Sequence, residues 1–238
     1  MLKKIFLILT LTGICVGGTT MHIIKEARNY TEDVILTDLA KGHWRGFDKK
    51  PMPIITEFSE LPDRWQEWLI QIEDPGFYRH TGVDLDTPGA GLTTITQSLV
   101  KRLYFAEFTP GLKNKIIQSI IAKHVVNDMI SKPAQLSLFL NAAYLGHLDG
   151  HAVIGFEDAA FAYFEMPLAA LSDEQYLALV AMLIAPNHFS ITKHPQENHE
   201  RVTRIKRVLN GEYSPQGLTD LYYDICNPII TDCEAHEG

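Results

Sequence analysis

Seven aliphatic side chains between positions 116 and 130 recur at steps of three and four: Ile116, Ile117, Ile120, Ile121, Val125, Met129 and Ile130. That spacing lays them along one stripe of an α-helix. Thr109-Pro110 supplies a cap and a first-turn proline ahead of it, so the pattern predicts one long helix to about Ile130 with a buried face. The same grammar recurs from Leu61 onward. Leu61–Glu73 is Trp-rich with Pro62 near its first turn, and Thr93–Phe105 is a second helical stretch. Ser172-Asp173-Glu174-Gln175 is a capping box opening an Ala/Leu-rich helix to Ile184, which Pro186 stops. A basic helix follows over about Pro195–Asn210. Residues 25–60 carry mixed charge and the breakers Gly42, Gly46, Pro51 and Pro53, which predicts an irregular lead-in with short strands at most. The chain thus reads as mainly α, with one helical domain over 61–210 and an acidic tail over 211–238.

Composition narrows the function classes. With 46% hydrophobic residues in 238 the chain can bury a core, and its mean hydropathy of −0.03 excludes a polytopic membrane protein. Three cysteines are too few for a disulfide scaffold. Cys226 and Cys233 lie close together in the tail, which leaves a local disulfide open. A net charge of −8 argues against nucleic acid as partner. The charge is unevenly spread. From Glu212 to the end there are six acids and no Lys or Arg. Within 101–132, Lys101, Arg102, Lys113, Lys115, Lys123 and Lys132 oppose only Glu107 and Asp128. Such a basic stripe suits a phosphate-bearing ligand.

Lys3 and Lys4 precede a stretch of 20 residues, Ile5–Ile24, without Asp, Glu, Lys or Arg. At about 1.5 Å rise per residue it is long enough to cross a bilayer, and the leading lysines keep its start in the cytoplasm. Residues 1–24 therefore read either as a single membrane anchor or as a cleaved signal segment whose small residues Gly17, Gly18 and Thr19 mark the cut. Both readings put the domain outside the cytoplasmic membrane, facing the periplasm or the cell exterior.

Two segments carry the chemistry. Glu73-Asp74-Pro75-Gly76-Phe77-Tyr78-Arg79-His80-Thr81-Gly82-Val83-Asp84 sets acids, aromatics and an imidazole around Pro and Gly at the end of an apolar helix. A carboxylate at such a helix end is a candidate for a raised pKa and general acid/base work. Thr93-Thr94-Ile95-Thr96-Gln97-Ser98-Leu99-Val100-Lys101 gathers hydroxyls at a helix start before Lys101 and Arg102, an arrangement suited to an anion as well as to ordinary capping.

In this order the two segments resemble the family 51 peptidoglycan glycosyltransferases, the monofunctional transglycosylases and the transglycosylase modules of penicillin-binding proteins. The family's first motif, E-D-x-x-F-x-x-H-x-G-x-D, is matched throughout Glu73–Asp84. Its second, G-G-S-T-I-T-Q-Q-L, is matched at Thr94-Ile95-Thr96-Gln97 and Leu99, with departures at Leu92, Thr93 and Ser98. The fourth is recognisable in Lys132, Leu136, Leu140, Asn141, Tyr144 and Gly146. A later one appears in Ile154-Gly155, Ala159-Ala160 and Tyr163-Phe164, and the fifth in Arg204, Val208 and Leu209.

The resemblance implies a lysozyme-like two-lobed helical domain behind an N-terminal membrane helix, polymerising lipid II into glycan strands at the outer face of the cytoplasmic membrane. Glu73 would be the catalytic base. Asp74, His80, Asp84, Thr94, Thr96, Gln97, Lys101, Lys115 and Asn141 would hold substrate and pyrophosphate, with Mg2+ or another divalent metal and no organic cofactor. The partners implied are lipid II, the nascent glycan strand, the inner membrane and, by analogy, other cell-wall synthesis proteins.

Three departures stand against that pattern. The third motif, R-K-x-x-E, reads Asn114, Lys115, Ile116, Ile117 and Gln118, so the second carboxylate position holds an amide. The fourth-motif glutamate is Ser137, and only seven residues, 85–91, separate Asp84 from Leu92. They favour an alternative: a non-catalytic lipid II- or glycan-binding regulator of the same fold. Cleavage of glycan strands by Glu73 alone is a third reading. His147 and His151 flank Asp149-Gly150 in an expected loop and are assigned no metal.

Overall fold

The computed structural model describes residues 18–223 other than 48. Helix α1, residues 18–39, is under way at the first described residue and contains a π turn, Thr31–Ile35. Strands β1 (His43–Trp44) and β2 (Met52–Pro53) pair antiparallel. Then come α2 (Asp63–Glu73), α3 (Ile95–Leu103) and α4 over residues 112–129, which joins Leu112–Ile121, a π turn Ala122–Val126 and Asn127–Met129. Helix α5 (Lys132–Ala142) leads to an antiparallel hairpin, β3 (Tyr144–Leu148) and β4 (His151–Ile154), and α6 (Phe156–Phe164), α7 (Asp173–Met182) and α8 (Pro195–Leu209) complete the set.

Capping signals place most of these starts. Thr94 accepts from the Gln97 N–H at 3.1 Å while Gln97 Oε1 accepts from the Thr94 N–H at 3.0 Å. Ser172 and Gln175 make the same reciprocal pair at α7. Each box satisfies two donors left free at a helix start and contributes on the order of 1 kcal/mol. Thr109 does not cap α4: its carbonyl accepts from Asn114 Nδ2 at 2.8 Å, and the helix begins only after Gly111.

The long apolar stripe is buried in its second half only. Ile121, Val125, Val126 and Ile130 are in the core, whereas Ile116 is 50% exposed. The π turn between the halves widens one turn and rotates the helix face, so one continuous stripe cannot stay against one surface.

The lead-in departs from the irregular segment expected. Its first part, to residue 39, is helical and docks on the body of the protein. Arg28 pairs with Asp128 at 2.7 Å and donates to the His124 carbonyl. Tyr104 donates to the buried Thr31 hydroxyl, which itself donates to the Ala27 carbonyl. The expected short strands are present, and Arg45 ties β1 to Asp38.

The core centres on α7. Trp65 of α2 stacks on Tyr176 with centroids 4.2 Å apart, and the Tyr176 hydroxyl donates to the Trp65 carbonyl. Helix α8 packs along α7, α3 along α5 and α4, and Asn198 sews α8 down by donating to the Ala178 and Phe189 carbonyls. Residues 211–223 are no free tail. Gly89 N–H donates to Gly217, Gly91 N–H to Leu218, and the Tyr223 hydroxyl to the Ile72 carbonyl.

Most of the apolar segment Ile5–Ile24 lies outside the described residues, as do Cys226 and Cys233. Among the described residues no helix is long and apolar enough to cross a membrane.

Candidate active site

Glu73 is the last residue of α2, where the helix stops and its side chain turns into a cleft. Two chambers meet at this carboxylate. The smaller, about 270 Å³, is lined by Arg102, Phe139 and Tyr144 among others; the larger, about 980 Å³, by Arg201 and by Tyr213, Asp220 and Tyr222 among others. Glu73, Ser98, Lys101 and Leu183 border both. Among the described residues no donor is hydrogen-bonded to the Glu73 carboxylate. Burial pushes its pKa up to about 7; the Arg201 charge opposes the rise and the neighbouring Asp74 adds to it. A carboxylate half-ionised near neutrality can take a proton and give it back.

The remaining acids of the first motif face inward. Asp74, fully buried, accepts from the Ile95 N–H at 2.9 Å and lies 3.0 Å from His80 Nε2 through both oxygens. His80 Nδ1 accepts from the Gly82 N–H at 2.9 Å, so the ring proton sits on Nε2 and points at Asp74. Asp84 turns Oδ1 to the N–H groups of Asp86 and Thr87. Burial alone would raise its pKa, but the N–H donors of Thr87 and Asp86, the Thr87 hydroxyl and His80 together hold it below the usual range.

This folding-back requires two glycines. A Cβ on Gly76 would sit 2.0 Å from Asp84 Oδ2, and one on Gly82, at φ +92°, would sit 2.5 Å from the Ala122 carbonyl oxygen.

The second motif is also internal. Thr94 donates to the Gly82 carbonyl, Thr96 to Gln135 Oε1 and Gln97 Nε2 to Ser119. Asn141 clips the lead-in: it accepts from Ile55 N–H at 2.8 Å and donates to the Thr56 and Ser137 carbonyls. Ser137 accepts from the Phe58 N–H.

Seven residues expected to contact substrate (Asp74, His80, Asp84, Thr94, Thr96, Gln97 and Asn141) therefore have their hydrogen bonds taken up inside the protein. They position the site rather than line it. Of the expected set, Glu73 and Lys101 reach the cleft.

Lys115 sits on a separate groove of about 490 Å³ with Lys123. It donates to the Leu92 carbonyl at 2.6 Å and to Thr93 Oγ1 at 2.8 Å. Burial, with the Lys101 charge adding to it, lowers its pKa to about 8. The basic stripe is thus not one surface. Lys101 and Arg102 face the cleft, Lys115 and Lys123 the groove, and Lys132 is turned inward over the Phe77 ring at 4.3 Å.

Gln118 is fully buried, its Nε2 donating to the Gln97 carbonyl at 2.6 Å and its Oε1 without a partner. A divalent metal does not fit these residues. The second carboxylate position offers a neutral amide engaged with the backbone, Asp74 and Asp84 already accept from backbone N–H groups, and no three metal-ligating side chains converge among the described residues.

Reading the sequence by motif misses Ser98, Tyr144 and Arg201 as cleft residues. Arg201 had a signal: positions 201, 205 and 208 share the buried face of α8, so a cation stood on an apolar stripe.

Residues 43–210 match the family model described as Transglycosylase. The chain belongs to this transglycosylase family. It is 30% identical over 167 residues to penicillin-binding protein 1F of Bacillus subtilis strain 168, covering 65% of this chain and 22% of that protein. To penicillin-binding protein 1B of Escherichia coli strain K12 it is 29% identical, again over 65% of this chain and 20% of the relative. A biosynthetic peptidoglycan transglycosylase of Alcanivorax borkumensis is 34% identical over 144 residues, 55% of this chain and 56% of that one. The transglycosylase match thus spans about a fifth of each penicillin-binding protein and just over half of the biosynthetic enzyme.

Proposed function

We propose that the protein is a peptidoglycan glycosyltransferase that polymerises lipid II, with Glu73 as general base. The observation that carries this is the Glu73 carboxylate itself, poised at about 7 where two cation-bearing chambers meet. Glu73 takes the proton of the acceptor sugar's 4-hydroxyl as that oxygen attacks the anomeric carbon of the growing chain. The new C–O bond forms with inversion while the bond to the lipid pyrophosphate breaks. Lys101 and Arg102 neutralise the departing oxyanion. Membership of the transglycosylase family supports this chemistry, and the mainly helical fold is consistent with it.

The reading extends to the outer face of the cytoplasmic membrane. Leu112 is 79% exposed, Leu92 57% and Ile116 50%, near Lys113 and Lys115. Apolar side chains flanked by lysines suit a surface of anionic lipid. The apolar Ile5–Ile24 stretch would tether the domain there.

Gln118 favours a second reading, in which the same cleft binds lipid II without turning it over. Incubating the full chain with fluorescent lipid II in detergent separates the two. Glycan ladders that disappear in Glu73→Gln support the polymerase, and saturable binding with no product supports the binder.

A further inference from the structure

Helix α8 carries a cation on its buried face. Arg201 lies among Val202, Ile205 and Val208 and is only 2% exposed. Its Nε and Nη1 are buried without an acceptor, and it takes part in none of the ion pairs found among the described residues. What holds it is the face of Tyr223, 4.5 Å from ring centroid to guanidinium carbon, with Tyr222 at 5.8 Å. Cation–π contact offsets part of the lost hydration, yet donors of a buried charge left unpaired remain costly. A hydrophobe at 201 would pack on the same rings without that cost. Besides the Tyr223 hydroxyl, to which the guanidinium donates, the charge faces one carboxylate: Arg201 lines the larger chamber with Glu73, and its field acts on that group.

We propose that Arg201 is the positioning residue of Glu73, a buried counter-charge that favours the ionised form of the carboxylate. The claim rests on the reading of Glu73 as the base. The other groups around Glu73 do not supply this charge. Asp74, next in the chain, opposes ionisation, Arg204 of α8 opposes the charge of Arg201 itself, and Lys101 and Arg102 of α3 line the chambers only half-buried. Tyr176 of α7 and Tyr223 are phenols that burial pushes further from ionisation, as it does Tyr144 and Tyr222. Asp220 is engaged by the Tyr213 hydroxyl and the Gln216 N–H.

The test compares the full chain with R201M and R201K. Methionine keeps the stem packed on Tyr223 and removes the charge, and circular dichroism checks that the variant is folded. The first readout is a 13C-carboxyl NMR titration of Glu73, assigned with E73Q. The second is the pH profile of lipid II polymerisation. In R201M both the titration and the acid limb move up by about one pH unit. The ionised fraction at pH 7 then falls about fivefold. R201K restores the charge and brings both back to within about 0.3 unit of wild type. A Glu73 that titrates at the wild-type pH in R201M overturns the proposal, as does a failure of R201K to restore it. The NMR titration needs no turnover. A shifted Glu73 in a chain that makes no glycan would therefore remove the polymerase reading and leave the Arg201–Glu73 pairing standing.

Discussion

His80 and Asp74 form a buried pair in which the imidazole Nε2 lies 3.0 Å from both carboxylate oxygens. The pair joins the loop after α2 to the first N–H of α3, since Asp74 Oδ2 also accepts from Ile95. One carboxylate thus fixes where Glu73 ends its helix and where Lys101 begins to face the cleft.

Asp74→Ala would leave the Ile95 N–H and the His80 Nε2–H buried without an acceptor. The expected loss is about 2–4 kcal/mol of folding stability, well above a surface substitution. Urea denaturation of Asp74→Ala against Glu67→Ala, an exposed acid on the same helix, measures it. Equal midpoints would mean that the pair does not hold the loop.

Much of this frame was legible in the residues. Reciprocal capping at Thr94/Gln97 and Ser172/Gln175 is local chemistry, and local chemistry survives folding. The first-motif pattern likewise pointed to Glu73. What the residue types could not carry was direction. A threonine or aspartate at a helix start satisfies a neighbour's N–H or a ligand equally well, and only the tertiary fold turned Asp74, Thr96 and Asn141 inward. The helical start of the lead-in was hidden for a related reason: its burial depends on partners about a hundred residues away, as with Arg28 and Asp128. Residues 211–223 looked like solvent-facing tail because their acids dominate the count, yet Tyr222 and Tyr223 are buried against Arg201.

Restoring a carboxylate at position 118 is not expected to restore a faster enzyme. The Gln118 amide donates to the Gln97 carbonyl in a site closed to solvent, and an ionised Glu would present an acceptor to an acceptor there. Gln118→Glu should lose about 2–3 kcal/mol at pH 8 and less at pH 5, where the protonated acid can donate. Melting curves at the two pH values, with lipid II turnover at each, check this. A gain in turnover of more than about twofold would show that the position serves catalysis directly.

Glu73 should cost stability in the range where it works. Its folded pKa of about 7 lies above the ordinary 4.5 of a glutamate. The folded state therefore holds a proton that the unfolded chain has released, and stability falls as pH rises from the unfolded pKa through the folded one. Partial contact with water at the cleft discounts the effect to about 1–2 kcal/mol. Glu73→Gln removes this dependence. Its melting temperature should exceed that of wild type at pH 8 and match it near pH 4, while polymerisation falls by about 10²–10⁴. A variant less stable than wild type at pH 8 would contradict the burial argument.

Activity should be confined on the alkaline side by Lys115. Its ammonium is protonated below about 8, and its contacts with the Leu92 carbonyl and Thr93 hydroxyl hold the segment bordering the larger chamber. As pH rises through 8 the charge is lost, and with it the attraction for an anionic lipid. With Glu73 setting the acid side, kcat/KM for lipid II should follow a bell with limbs near 7 and 8. Lys115→Gln should raise KM about tenfold, leave kcat within about twofold and flatten the alkaline limb while the acid limb stays in place. An alkaline limb unchanged in Lys115→Gln would assign that titration to another group, of which Lys101, with its pKa lowered first by burial and then by Arg102, is the next to substitute.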